Sequence, residues 1–462
     1  METVPRAGDA AMLDKLKQYN RIAFVASGGA AKALFYHIGV TLALKEYGIE
    51  IANAPRAQRN PERVFIEHIV GSSGGSIFGA LMVNDFDEET IESRLEAKSL
   101  SSYFTSPDRR MHGDLTGFSY ADIFSLRLPP PRIMLKYLKR LAKLPYMQNK
   151  YGPGTGIEAI MREIMPVMGL FSLERLEKYL EDVLPINDFE ELYIRKQVDL
   201  SVIATEIDYP RKAIFGKDMS DWIGTDEDTY YRDRYLNTAP ISRAVHASCC
   251  VPGLFKPVSI DGHIYYDGEV KQCLSVHVAA DMGADLIFVS HTFTPYVRDE
   301  NMGSITELGL YSLVLQAMNT AMYQKIREPA KLREQKEELF AFVRSPQFRN
   351  KYKLSRETHE EMVADLAGFF NFNKDRKYIY IPSPNEIFFV DHFNILPYST
   401  RELINIGYSI TNEIMPLHGF EKLEEYKTVG ILEAKNLNRF KFKKSRYERY
   451  RQIARETFPK LQ

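Results

Sequence analysis

Cysteine is scarce: Cys249, Cys250 and Cys273 are all that the 462 residues hold. Three thiols make no disulfide framework, and no pair has the spacing of a zinc knuckle. Adjacent Cys249 and Cys250 are expected to pack as small apolar side chains, and such usage suits a reducing compartment. A dominant charge is missing as well. The net charge is −1, so the chain as a whole is not built to bind nucleic acid, and attraction to a charged surface must come from local patches. No run of about 18 apolar residues occurs, so no transmembrane helix is expected. The start, Met1-Glu2-Thr3-Val4, has no apolar core like that of a signal peptide. These absences suit a cytoplasmic protein that touches membranes, if at all, from outside the bilayer.

What is present is ordinary for a folded protein, with 45% apolar and 26% charged residues. Arg21 to Ser27 is a short strand-like run ending at Gly28-Gly29, and Ala33 to Tyr47 follows with helical spacing and Gly48 as a stop. Residues 50–62 look like a polar loop. The unit then repeats: Val64–Val70 reads as a buried strand, Gly71-Ser72-Ser73-Gly74-Gly75 as a turn, and Ser76–Val83 as a helix. Further strands are expected at Asp199–Thr205, His263–Tyr266 and Asp285–Ser290, with helices at Pro240–Ser248 and Val276–Met282. Alternation of this kind implies an α/β fold with a mostly parallel sheet covered on both faces. Residues 100–170, with Pro129-Pro130-Pro131 and Gly152-Pro153-Gly154, break the pattern and read as an inserted cap. From about 296 the chain is mainly helical, with a strand-like Tyr378–Ile381, and a basic tail covers 435–462.

Gly71-x-Ser73-x-Gly75 is a nucleophile-elbow pattern. A sharp strand-to-helix turn lifts a serine hydroxyl above the sheet, where it is expected to be exposed, and the glycines permit the turn. Ser27-Gly28-Gly29-Ala30-Ala31-Lys32 follows the first strand and opens a helix. Unpaired amides at a helix start favour an anion, which in an acylhydrolase is the oxyanion of the tetrahedral intermediate. The serine needs a proton acceptor. Asp267-Gly268 lies at the expected end of a strand, on the edge where open parallel sheets bind ligands. A histidine is the competing base: His246, His263, His277, His291, His359, His392 and His418 all follow Ser73, and nothing local singles one out.

The three pieces in this order resemble the patatin-like phospholipase family, whose pattern is G-G-G-x-R/K-G, G-x-S-x-G, then D-G-G or D-G-A. Here they stand as Gly28-Gly29-Ala30-Ala31-Lys32-Ala33, Gly71 to Gly75, and Asp267-Gly268-Glu269. The stretch Ala244–Val270 resembles the family's approach to its aspartate, and the likeness covers about residues 18–295. The resemblance implies a three-layer α/β/α sandwich and a Ser–Asp dyad that cleaves lipid esters through an acyl-enzyme. It makes Ser73 the nucleophile and Asp267 the base. The amides of Gly28, Gly29 and Ala30 would form the oxyanion hole, with Gly74 beside it and Lys32 in the place of the usual arginine. No metal or cofactor is implied.

The chain departs from that pattern in three places. Ala30 and Ala33 stand where glycines are usual, and alanine resists positive φ. Glu269 replaces a small residue and sets a second carboxylate beside the base, which is expected to raise the pKa of Asp267. An activation-dependent enzyme, or a lipid-binding protein that keeps the fold without catalysis, is therefore a rival reading, as is an α/β-hydrolase with a Ser–Asp–His triad. Two basic segments are candidate contacts with an anionic membrane. Arg132–Leu144 is amphipathic, and Lys435–Arg455 interleaves nine cations with Phe440, Phe442, Tyr447 and Tyr450. Head group, acyl length and oligomeric state leave no mark on the sequence.

Overall fold

The computed structural model describes residues 7–84, 125–126, 169–218, 233–298, 304–370, 373, 376–384 and 397–431. In chain order these hold α1 (Ala7–Lys17), β1 (Ile22–Ala26), α2 (Ala30–Lys45), β2 (Ile49–Ile51), β3 (Val64–Ser72), α3 (Gly74–Met82), β4 (Ser125–Leu126) and β5 (Gly169–Ser172). Then come α4 (Glu174–Val183), α5 (Phe189–Lys196), β6 (Asp199–Glu206), β7 (Lys212–Phe215), β8 (Arg234–Leu236), α6 (Ile241–Ser248), β9 (Gly253–Phe255), β10 (Val258–Ile260) and β11 (His263–Asp267). The last part holds α7 (Val276–Asp281), β12 (Leu286–His291), α8 (Gly309–Arg344), α9 (Pro346–Lys351), α10 (Arg356–Phe369), β13 (Lys377–Pro382), α11 (Pro397–Leu417) and α12 (Glu424–Lys427).

The apolar run of β1 is buried along its whole length, and its period of two divides it between two cores. Ile22, Phe24 and Ala26 join a cluster with α2, α3, α6 and α11. Ala23 and Val25 join a second cluster with α7 and with Ile326 and Ala330 of α8. A strand covered on both faces has no polar side to show, which is why the sequence there does not alternate. The result is the expected three-layer α/β/α sandwich.

The main sheet follows the path β10-β11-β6-β3-β1-β12-β13, with β2 on β3, β7 on β6 and β8 on β7. Its centre is parallel: β3 pairs with β6 and β1, β1 with β12, and β12 with β13 in the same direction. One side is not. β10 and β11 form an antiparallel pair, and β11 runs antiparallel to β6. The cause is local. Asp261 and Gly262 between them have φ of 50 and 81°, the two positive values of a tight hairpin turn. Asp267 therefore ends its strand, but on a chain travelling against the parallel core, so the parallel-edge rule is not what places it.

The expected loop at 50–62 contains the end of β2 and a 3-10 turn, Arg56–Gln58. A boundary at 295 would divide the sheet, because β13 lies beside β12. Helix α11 also crosses α2 in close contact. A β-carbon on Gly39 would sit 2.0 Å from the Ile404 carbonyl oxygen, and one on Gly407 would sit 2.2 Å from that of Tyr36. Most of the 100–170 segment, including Arg132–Leu144, and all of the 435–462 tail lie outside the described residues. Of that segment, Ser125–Leu126 and the first residues of β5 appear, in a small sheet ordered β4-β5-β9. Among the described residues no helix is long and apolar enough to cross a membrane.

Candidate active site

Strand register brings the motifs together. On the parallel neighbours β1 and β3, Ala26 lies beside Gly71, so both chains leave the sheet at one edge. There β1 runs through Ser27-Gly28-Gly29 into α2, and β3 runs through Ser73 into α3. On β6, Ile203 lies beside Ser72 and the next residue, Ala204, beside Asp267. Nest, elbow and aspartate thus meet at one level although they are far apart in sequence.

Ser73 has φ 48° and ψ −124°, the strained left-handed turn that a nucleophile elbow requires. Its main chain is held from both sides. The Ser73 N–H donates to Ser248 Oγ at 2.8 Å, Ser248 Oγ donates to the Ile203 carbonyl at 2.5 Å, and Ser76 Oγ donates to the Ser73 carbonyl at 2.6 Å. Gly71 is the last residue but one of β3, Gly75 lies in the first turn of α3, and Gly268 follows Asp267. The Ser73 hydroxyl lies near enough to the Asp267 carboxyl to act on its pKa. Ser73 is not exposed as expected: it and Asp267 are each only 5% accessible. A β-carbon on Gly28 would come within 2.8 Å of Ser73 Cβ, so the Gly28 backbone packs closely against it.

Asp267 is fixed at three points. Its N–H donates to the Cys250 carbonyl at 2.9 Å, its carbonyl accepts from Thr205 Oγ1 at 3.1 Å, and its Oδ1 accepts the Glu269 N–H at 2.9 Å. Burial raises its pKa from 3.8 to about 6, while the Glu269 N–H and the Ser73 hydroxyl act in the opposite direction. Glu269 is thus not the cause of the rise that the sequence suggested. Repulsion between two carboxylates falls on the one that ionises second. That one is Glu269, which burial and then the Asp267 charge push to about 7.

In the nest, Gly29 has φ 132° and Ala30 has φ 54°. Position 30 does adopt the conformation that alanine resists, at a cost of about 1 kcal/mol. The amides of Gly29 and Ala30 stand at the start of α2, where no helical carbonyl can reach them. The Gly28 carbonyl accepts from Thr292 Oγ1 at 2.8 Å and from Ser27 Oγ at 2.9 Å. Lys32 sits in the first turn of α2 with its stem beside Gly29, buried, which lowers its pKa to about 7. Gly74 touches the nest directly, since a β-carbon there would be 2.1 Å from the Ala30 carbonyl oxygen.

No histidine in the described residues bonds Ser73 or Asp267. His37 bonds Ser290 and the Ser27 carbonyl, His246 bonds Glu177, His263 bonds Glu206, His277 bonds Asp233, and His359 bonds the Val343 carbonyl. His392 lies outside the described residues. Nor do the described residues group three or more potential metal ligands. The supporting residues Ser248, Thr205 and Thr292 were not singled out from the sequence. Hydroxyls at the ends of a helix and of buried strands carry no local signal.

Among solved structures the chain is similar to VipD from Legionella pneumophila, at 14% identity and a TM-score of 0.36, covering 86% of this chain and 67% of that one. A likeness that weak supports none of the reading here. The family model for patatin-like phospholipase matches residues 24–280, which takes in the nest, the elbow and the aspartate. With more than half of its length matched, the chain belongs to the patatin-like phospholipase family.

Proposed function

We propose that this member of the family cleaves the acyl ester of a phospholipid or related lipid through Ser73 and Asp267. The observation that carries the reading is a serine on a positive-φ elbow whose hydroxyl lies near enough to a buried carboxyl to pull that carboxyl's pKa down. Asp267 takes the Ser73 proton as Oγ attacks the ester carbonyl. The negative charge gathers on the carbonyl oxygen, opposite the amides of the nest, where one donor is worth about 2.7–4 kcal/mol of barrier. The alcohol leaves with the proton from Asp267, and an acyl-enzyme remains. Water, deprotonated by Asp267, then releases the acid and restores Ser73.

Ser73→Ala should abolish release of fatty acid from a mixed membrane lipid extract and labelling by a fluorophosphonate probe, with the fold intact. Activity within about tenfold of wild type would end the assignment, since loss of a catalytic nucleophile costs far more. The basic segments Lys435–Arg455 and Arg132–Leu144 are further proposed as contacts with anionic bilayers, on charge and aromatic content alone. Vesicle flotation of the full chain and of a form ending before Lys435, across a salt series, separates them.

A further inference from the structure

The anion nest already has an occupant. The Gly28 N–H donates to Glu269 Oε1 at 2.6 Å. A β-carbon on Gly28 would lie 2.8 Å from Ser73 Cβ, 2.9 Å from Glu269 Cγ and 3.2 Å from Glu269 Oε1. The nucleophile, the nest amide and a carboxylate oxygen thus share one small space. Glu269 is 1% exposed, and its second oxygen, Oε2, is buried without a hydrogen bond. A carboxylate placed for stability would have both oxygens satisfied. Its Oε1 is held by a single amide, the same group that the proposed reaction needs for its oxyanion.

We propose that Glu269 stands in for the oxyanion and sets the rate of the enzyme: its side chain must leave the Gly28 amide before an ester carbonyl can be attacked by Ser73. The inference rests on the reading of Ser73 and Asp267 as the dyad. A negatively charged acceptor binds an N–H about twice as strongly as a neutral one, so the carboxylate competes best when ionised. It is also the wrong sign of charge beside a developing oxyanion.

The groups facing Glu269 decide when it is ionised. Asp267, two residues back, opposes its charge, and the Gly28 amide, the Cys273 thiol and the Ser72 hydroxyl favour it. Lys212 of β7 feels Glu269 as a favourable charge. Lys325 of α8 holds the neighbouring Val270 carbonyl at 2.7 Å, and on α2 the stem of Lys32 lies beside Gly29. The balance leaves Glu269 ionised above about 7 and Asp267 ionised above about 6. Base and plug therefore switch on in succession. Activity should rise as pH climbs through about 6 and fall as it passes about 7.

The test is the rate of fluorophosphonate labelling of the full chain across pH, for wild type, Ser73→Ala, Glu269→Gln and Glu269→Ala. In that reaction Ser73 Oγ displaces fluoride from phosphorus and its proton passes to Asp267. At about pH 8 both Glu269 variants should label at least about tenfold faster than wild type, given that one nest donor is worth ~10²–10³ in rate. At about pH 6 the gap should close, and the alkaline limb of the wild-type profile should be missing in both. Gln keeps the shape and an acceptor, so it guards against a folding defect in the Ala form. If Ser73→Ala ends labelling but neither Glu269 variant is faster at high pH, the dyad stands and the plug is wrong. If Ser73→Ala labels like wild type, or no form labels, the dyad reading falls and the plug with it.

Discussion

The elbow and the nest touch at Gly74 and Ala30, where a β-carbon on Gly74 would come within 2.1 Å of the Ala30 carbonyl oxygen. Both partners in that contact are backbone, so neither can rotate away. Gly74→Ala should push α2 and α3 apart at their starts and move the nest off the nucleophile. A misplacement of about 1 Å at reacting groups can cost on the order of a hundredfold in rate. Ester hydrolysis should fall by about that factor, and thermal unfolding should come earlier. Unchanged kcat would mean that the nest does not need its present distance from Ser73.

Asp267→Asn should trade activity for stability. An amide can accept a hydrogen bond from Ser73 but cannot take its proton, so the rate should drop by ~10²–10⁴. The sign of the stability change follows from the raised pKa, 3.8 to about 6. Below the ordinary value the carboxyl is protonated folded and unfolded. Between the two values the folded state alone keeps the proton, so wild type loses stability as pH rises through that window. Asparagine loses none. The variant should match wild type near about pH 4 and exceed it above pH 6 by on the order of 2–3 kcal/mol. Urea unfolding at both pH values checks this. Equal stability at the higher pH would mean that Asp267 is not held at the expense of the fold.

Ala30→Gly should relieve the positive φ of 54° at the start of α2. A glycine has no β-carbon to clash there, and the gain is about 1 kcal/mol at most, because glycine also loses more backbone entropy on folding. Hydrolysis should hold or rise. A loss of tenfold or more in kcat would mean that the alanine methyl is fitted to this nest and its strain is useful.

Much of the site was legible because backbone chemistry wrote it in glycines. Gly71, Gly74 and Gly75 around Ser73, and Gly28-Gly29 after an apolar run, need no tertiary knowledge to suggest an elbow and a nest. The strands β1, β3 and β12 follow from continuous apolar runs. Direction was harder. Asp261-Gly262 between Val258–Ile260 and His263–Asp267 is a hairpin signal, and missing it put Asp267 on a parallel strand. The strand Lys377–Pro382 matches the expected run Tyr378–Ile381, but its place beside β12 depends on contacts far apart in sequence that no local pattern encodes. Burial of Ser73 and the bond from Gly28 to Glu269 were invisible for the same reason. A glutamate after Asp-Gly says that a carboxylate is near, and only the fold says which amide it takes.

Thr292 is expected to act on the reaction without touching the substrate. It follows β12 directly, and its N–H donates to Ser27 Oγ at 3.0 Å while its Oγ1 donates to the Gly28 carbonyl at 2.8 Å. The Gly28 carbonyl and the Gly29 N–H belong to one planar peptide and point opposite ways. Anchoring the carbonyl on Thr292 and Ser27 therefore aims the Gly29 N–H away from them. Thr292→Val keeps the branched shape and removes the donor. The peptide would then hang on Ser27 alone, and its N–H would meet the oxyanion less well aligned. Part of one donor's worth should be lost, about tenfold in kcat, with KM nearly unchanged because a substrate carbonyl before attack makes weaker use of the nest. Thr292→Ser restores the hydroxyl and should restore most of the rate. Loss of a packing contact alone would show as lower stability with kcat intact in the valine form. A fall in kcat that serine repairs can arise only from the hydrogen bond, so kcat measured in both variants decides the point.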